Sequence, residues 1–110
     1  MKLSETAVIA PEKITHYLLK WQPDNDKSEF LRRAGYTLAN WKRLREDIRI
    51  QLKKEAELSR RTLHGDMFKI RGEIIAPKGI TLRVVTIWMA EYKSGQTKFI
   101  TLFPNKEVQK

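Results

Sequence analysis

The chemistry open to this chain is bounded by the few side chains that can carry it. Two histidines, His16 and His64, stand among 110 residues, and there is no cysteine. Thiolate nucleophiles, thiolate metal sites and disulfides are therefore excluded. His16 lies beside apolar residues at helical spacing and reads as structural. His64 precedes Gly65 where the hydrophobic period changes from 3.6 to 2, a junction that can present a general base at a sheet edge. No Gly-x-Ser-x-Gly elbow supports a serine hydrolase. The five glycines are scattered at turns and bulges and form no phosphate loop. Cations are plentiful, and one chemistry asks for little else. In metal-independent RNA cleavage the 2′-hydroxyl attacks its own phosphate. The protein supplies positioning, a proton acceptor and cations for the phosphorane. The expected catalytic set is Lys27, His64, Arg83 and Thr101, with His64 for proton transfer and no cofactor or metal.

Charge supports a polyanionic partner. Lys and Arg number 22 against 13 Asp and Glu, net +9, with an isoelectric point near 10. Residues 1–26 carry three cations and four anions, 27–63 eleven and five, and 64–110 eight and four. Such a balance in a small domain points to nucleic acid or to an acidic protein. No apolar run approaches the roughly 18 residues of a membrane span. The opening residues lack a secretory apolar run, so cytoplasmic residence is the default expectation.

The elements that must position these groups follow from periodicity. The length suits one domain, residues 1–110. The first ten residues read as a short edge strand or arm. Pro11 with Ile14, Tyr17, Leu18 and Trp21 predicts an amphipathic helix over 11–21. Pro23 breaks it. Asp24 or Asp26 caps a second helix that runs to about Ala34 and ends at Gly35. Thr37 then caps a third, whose apolar stripe is Trp41, Leu44, Ile48 and Leu52. Lys42, Arg45, Arg49, Lys53 and Arg60 form a second, cationic stripe that could track phosphates. Pairs such as Arg43–Asp47 would make the same surface an ordinary solvated face.

From 67 onward three strands are predicted: 67–75, 80–92 and 97–103, joined by "APKG" and "KSGQ". Aligning Ala76 with Ile80 sets Ile74 opposite Leu82, Ile70 opposite Thr86 and Phe68 opposite Trp88. That face, with Val84, Phe99 and Phe103, should meet the helices. Lys69, Arg71, Glu73, Thr81 and Arg83 fall on the other face, with Lys98 beyond, and Glu73 opposes Arg83 as a cross-strand ion pair. Lys69 and Arg71 join Lys42, Arg45, Arg49 and Lys53 as expected nucleic-acid contacts. The fold class is α+β: three helices on one face of a mainly antiparallel meander of three or four strands.

Three resemblances add to this. Phe68 to Gly72, Pro77-Lys78-Gly79, Val84 to Trp88 and Thr101 to Pro104 reproduce, in order, the C-terminal pattern of an uncharacterised bacterial family. "KITHYLL" and "DKSEFLRRAGY" resemble its N-terminal half. That resemblance implies a fold and no activity. Helices followed by a meander also resemble the layout of the barnase–EndoU–colicin–RelE ribonucleases. This implies a toxin-like endoribonuclease of a toxin–antitoxin type system, with RNA as substrate and an acidic antitoxin-like partner. Asp66 with Glu91-Tyr92-Lys93 resembles the Asp…Glu-x-Lys pattern of restriction-type metal nucleases, but no helix follows the sheet to complete that fold. The alternatives to an enzyme are a non-catalytic nucleic-acid-binding module and a basic subunit that docks an acidic protein.

Overall fold

Apolar residues recur at helical spacing as far as Leu52 and at alternate positions from Phe68, and the chain folds in that order. The computed structural model describes residues 1–21 and 27–106. Helix α1 begins at Pro11–Lys13 and continues as a π turn, Ile14–Leu18. Helix α2 is Lys27–Arg33, and α3 is Trp41–Ile50, extended by a 3₁₀ turn at Gln51–Lys53. The strands are β1 Glu57–Arg61, β2 Gly65–Ile75, β3 Thr81–Glu91 and β4 Thr97–Pro104. They form one antiparallel sheet in the order β1-β2-β3-β4. The fold is thus α+β with a four-stranded sheet. Among the described residues no helix is long and apolar enough to cross a membrane.

The β2–β3 register is the expected one, with Phe68 opposite Trp88, Ile70 opposite Thr86, Glu73 opposite Arg83 and Ile74 opposite Leu82. Trp88 is fully buried. Its ring meets Phe99 edge-on at 5.3 Å, and its indole N–H donates to Thr86 Oγ1 at 2.8 Å. Ile14, Leu18, Leu31, Leu44, Ile48 and Leu52 close the same core from the helical side. The N-terminal residues form an arm along β4: Val8 donates to Thr97 O and accepts from Phe99 N–H, both at 2.8 Å.

Two glycines have steric reasons. Gly35 ends α2 at φ 105°, a conformation that suits glycine. A Cβ on Gly72 would lie 2.0 Å from Gln51 Oε1. The buried Gln51 amide is pressed onto β2 there, where its Nε2 donates to Glu73 O at 3.1 Å.

Several elements differ from the sequence reading. The third helix stops well short of Arg60. The apolar stripe ends at Leu52, and the chain turns where Ala56 N–H donates to Met1 O at 2.8 Å. Glu57–Arg61 then pairs with β2 as an edge strand, exposed at every residue. Without alternating burial it has no period-2 signature, and its charges suit an edge. Trp21 leaves the apolar stripe and is 68% exposed. The helix predicted to reach Trp21 ends at Leu18 in a π turn, in which Leu19 N–H donates to Ile14 O at 2.9 Å, and Trp21 lies beyond it. Phe103 pairs with Val85 on the face away from the helices, because the β3–β4 register slips at Ile87/Trp88. Leu102 takes the core place and is fully buried. Pro23, Asp24 and Asp26 lie outside the described residues.

Candidate active site at the edge of strand β4

Lys27 and Thr101, expected at the site from the sequence, lie far apart in the chain and meet at Tyr17. Tyr17 sits on the π turn, one residue before the buried Leu18, which holds that turn against the core. Lys27 opens α2, and Thr101 follows the irregularity in β4, where it pairs with Ile87. The phenolic oxygen of Tyr17 accepts a hydrogen bond from Lys27 Nζ at 2.9 Å and another from Thr101 Oγ1 at 3.2 Å. The Lys27 ammonium also stands 5.0 Å from the centre of the Tyr17 ring, and that of Lys13 5.7 Å. The Lys27 hydrogen bond, then that of Thr101, holds the Tyr17 hydroxyl below the usual tyrosine range, against an opposing contribution from burial. The Tyr17 oxygen, accepting from an ammonium and a hydroxyl, gathers one acceptor and two donors at a single point.

The other expected site residues lie elsewhere. His64 is exposed in the β1–β2 connection, where its N–H donates to Thr62 Oγ1 at 3.2 Å and its carbonyl accepts from Tyr92 N–H at 3.0 Å. Neighbouring Gly65 pairs with Glu91, four positions along β3 from Ile87, or roughly 13 Å at 3.3 Å per residue. The fold therefore does not bring His64 to Tyr17. Arg83 lies four positions from Ile87 in the opposite direction. Its Nε is 3.7 Å from Glu73 Oε2, and both side chains are 58% exposed. Arg71 pairs with Glu57 at 2.7 Å. Arg71, Gly72, Glu73, Arg83 and Asn105 together line a cleft of about 330 Å3. Lys69 faces the same side of the sheet, opposite Ile87.

The cations of α3 are largely engaged. Arg49 donates to Glu5 O at 3.0 Å and Ala7 O at 2.9 Å, and so fastens the N-terminal arm. Arg45 stacks 5.0 Å from the centre of the Trp41 ring and pairs with Glu46 at 3.4 Å. Lys42 lies 5.9 Å from the same ring. Arg43 pairs with Asp47 at 3.0 Å, as helical spacing implied. Lys53 is exposed in the 3₁₀ turn, and Arg60 has left the helix for β1.

The Asp66…Glu91-x-Lys93 pattern is also occupied. Asp66 accepts from the Tyr92 hydroxyl and lies 3.7 Å from Arg61 Nε. Ser94 and Lys98 hydrogen-bond Glu91 and hold its carboxyl below the usual range. Among the described residues no three His, Asp or Glu converge as metal ligands.

Tyr17 is the member of this cluster that the sequence reading did not place at a site. Its i, i+3 relation to Ile14 puts it in the apolar set of the predicted helix, and spacing says nothing of its hydroxyl. Lys27 lies ten residues from Tyr17 and Thr101 84 residues away, so no local spacing signals the cluster. No curated protein and no solved structure gives a significant match. A family model described as a domain of unknown function (DUF6883) matches residues 1–106, and the chain belongs to that family.

Proposed function

We propose that this protein is a metal-independent endoribonuclease whose reacting groups are Tyr17, Lys27 and Thr101. The observation that carries the reading is the convergence of Lys27 Nζ and Thr101 Oγ1 on the Tyr17 oxygen, at 2.9 and 3.2 Å. The net charge of +9 makes a polyanionic substrate apt. Tyr17, as phenolate, takes the proton of the 2′-hydroxyl. The O2′–P bond forms and the P–O5′ bond breaks, giving a 2′,3′-cyclic phosphate and a 5′-hydroxyl. Lys27 stabilises the phosphorane and protonates the departing 5′-oxygen. The proton on Tyr17 then returns to Lys27 across their hydrogen bond and restores the starting state. Thr101 donates to a phosphoryl oxygen. In this reading the domain is toxin-like, and an acidic protein would be its natural restraint.

The test is incubation of the purified protein with RNA and with its all-deoxy counterpart, with and without a chelator. The expected result is cleavage of RNA alone, unaffected by chelation, with 2′,3′-cyclic phosphate ends. Cleavage lost to the chelator would overturn the metal-independent mechanism. Binding of both nucleic acids without cleavage would leave a binding module.

A further inference from the structure

We infer that the substrate strand runs along β4 on the face of the sheet opposite the helices, with a base on Phe103 and a phosphate beyond the scissile one held by Arg83. The inference rests on the proposed function and extends it to a minimum substrate length. The β3–β4 ladder sets Thr101 opposite Ile87 and Phe103 opposite Val85. Just beyond, Asn105 N–H donates to Arg83 O at 2.9 Å. Thr101, Phe103 and Asn105 thus follow at alternate positions along one side of β4, while Leu102 between them is buried on the other.

Phe103 is 37% exposed on this line. A core aromatic would not be wetted so far, and an aromatic face beside a cationic groove is how single strands are held without sequence readout. Arg83 closes the line in the cleft it shares with Arg71, Glu73 and Asn105. Its contact with Glu73 is 3.7 Å, too long for a hydrogen bond, and its side chain is 58% exposed. The guanidinium is therefore open to a phosphate oxygen. From Ile87 to Arg83 is four residues, roughly 13 Å. A stacked strand advances about 3.4 Å per phosphate. The site and the cleft are then about four nucleotides apart on a stacked strand and fewer on an extended one. A dinucleotide reaches the reacting groups and leaves Arg83 empty.

The experiment compares a dinucleotide, a longer RNA strand and the same strand with 2′-methoxy groups, which bind but do not react. The wild type should cleave the longer strand with the higher kcat/KM, chiefly through KM. In Arg83→Ala that advantage should shrink, and the slope of log K against log salt for the blocked strand should fall by about 1. Phe103→Leu keeps an apolar cover over Val85 and should weaken binding of the blocked strand roughly 5- to 150-fold. Phe103→Tyr should retain it. Melting curves confirm that each variant is folded. Equal cleavage of dinucleotide and longer strand, or unchanged binding in both Arg83→Ala and Phe103→Leu, overturns this path and leaves the proposed function standing. A wild type that neither binds nor cleaves RNA overturns both.

Discussion

Replacing Gly72 by alanine should cost far more than a strand substitution usually does. A Cβ there lies 2.0 Å from Gln51 Oε1 and 2.9 Å from Lys54 Cδ, where ordinary contact begins at 3.4 Å. The Lys54 contact is the far end of a flexible chain and can move aside. Gln51 is 1% exposed and has nowhere to go. It must retreat by the difference of about 1.4 Å, and its hydrogen bond to Glu73 O at 3.1 Å breaks. Overpacking of this kind costs about 1–3 kcal/mol, and a lost hydrogen bond that strands a buried donor about 1–3 kcal/mol more. Against a total stability of about 5–15 kcal/mol, Gly72→Ala should unfold well before the wild type in urea. Gln51→Ala in the same chain removes the obstacle, so the double variant should be more stable than the sum of the two single losses predicts. A Gly72→Ala protein with wild-type denaturation, or strict additivity with Gln51→Ala, would refute the steric argument. The contact also holds the Glu73 backbone, whose side chain faces Arg83, so Gly72 indirectly shapes the cleft.

Three further substitutions probe the core, the arm and a buried hydroxyl. Trp88→Ala removes a fully buried indole and its edge-on contact with Phe99. It should cost about 3–5 kcal/mol, and a variant that melts like the wild type would contradict the core placement. Arg49→Ala should free the N-terminal arm from its two carbonyl contacts. The predicted effect is faster amide exchange at Val8 and Phe99 with little change in the salt slope of RNA binding; a fall of about 0.9 in that slope would instead mark Arg49 as a phosphate contact. Burial, then the hydrogen bond to Asp47, raises the Tyr36 hydroxyl above the tyrosine range. Its folded pKa exceeds its unfolded one, so its contribution is whole below about pH 10 and is lost as pH rises above that. Tyr36→Phe should therefore flatten the alkaline fall in stability seen by denaturant titration, and an equally steep fall in that variant would refute the assignment.

Much of the fold was legible because burial was periodic. The β2–β3 register followed from the Pro77–Gly79 turn and alternation alone, down to the Glu73–Arg83 pairing. β1 was not legible, since all five of its residues are exposed and backbone pairing alone defines it. Phe103 and Trp21 were misplaced for different reasons. One extra residue in the β3–β4 ladder resets the period before Phe103, and the first helix ends at Leu18, short of Trp21. At the candidate site, Lys27 and Thr101 were expected separately, from residue type. Their meeting at Tyr17 is a tertiary contact, across ten residues to Lys27 and 84 to Thr101, that no local spacing announces. The cationic stripe on α3 shows the opposite limit. Spacing put Arg45 and Arg49 on one surface, but the partners that occupy them, Trp41 and the arm carbonyls, come from the tertiary fold.

The central claim is that Tyr17 is the proton acceptor for RNA cleavage, and its most direct test is the single-turnover rate of Tyr17→Phe on an RNA strand in the presence of a chelator. Phenylalanine keeps the ring against the π turn and removes only the oxygen on which Lys27 and Thr101 converge. The predicted result is a wild-type melting curve and a rate lower by about 10²–10⁴-fold, the usual contribution of a general base. Cleavage by Tyr17→Phe at the wild-type rate would contradict the claim and remove the Tyr17–Lys27–Thr101 cluster from the chemistry.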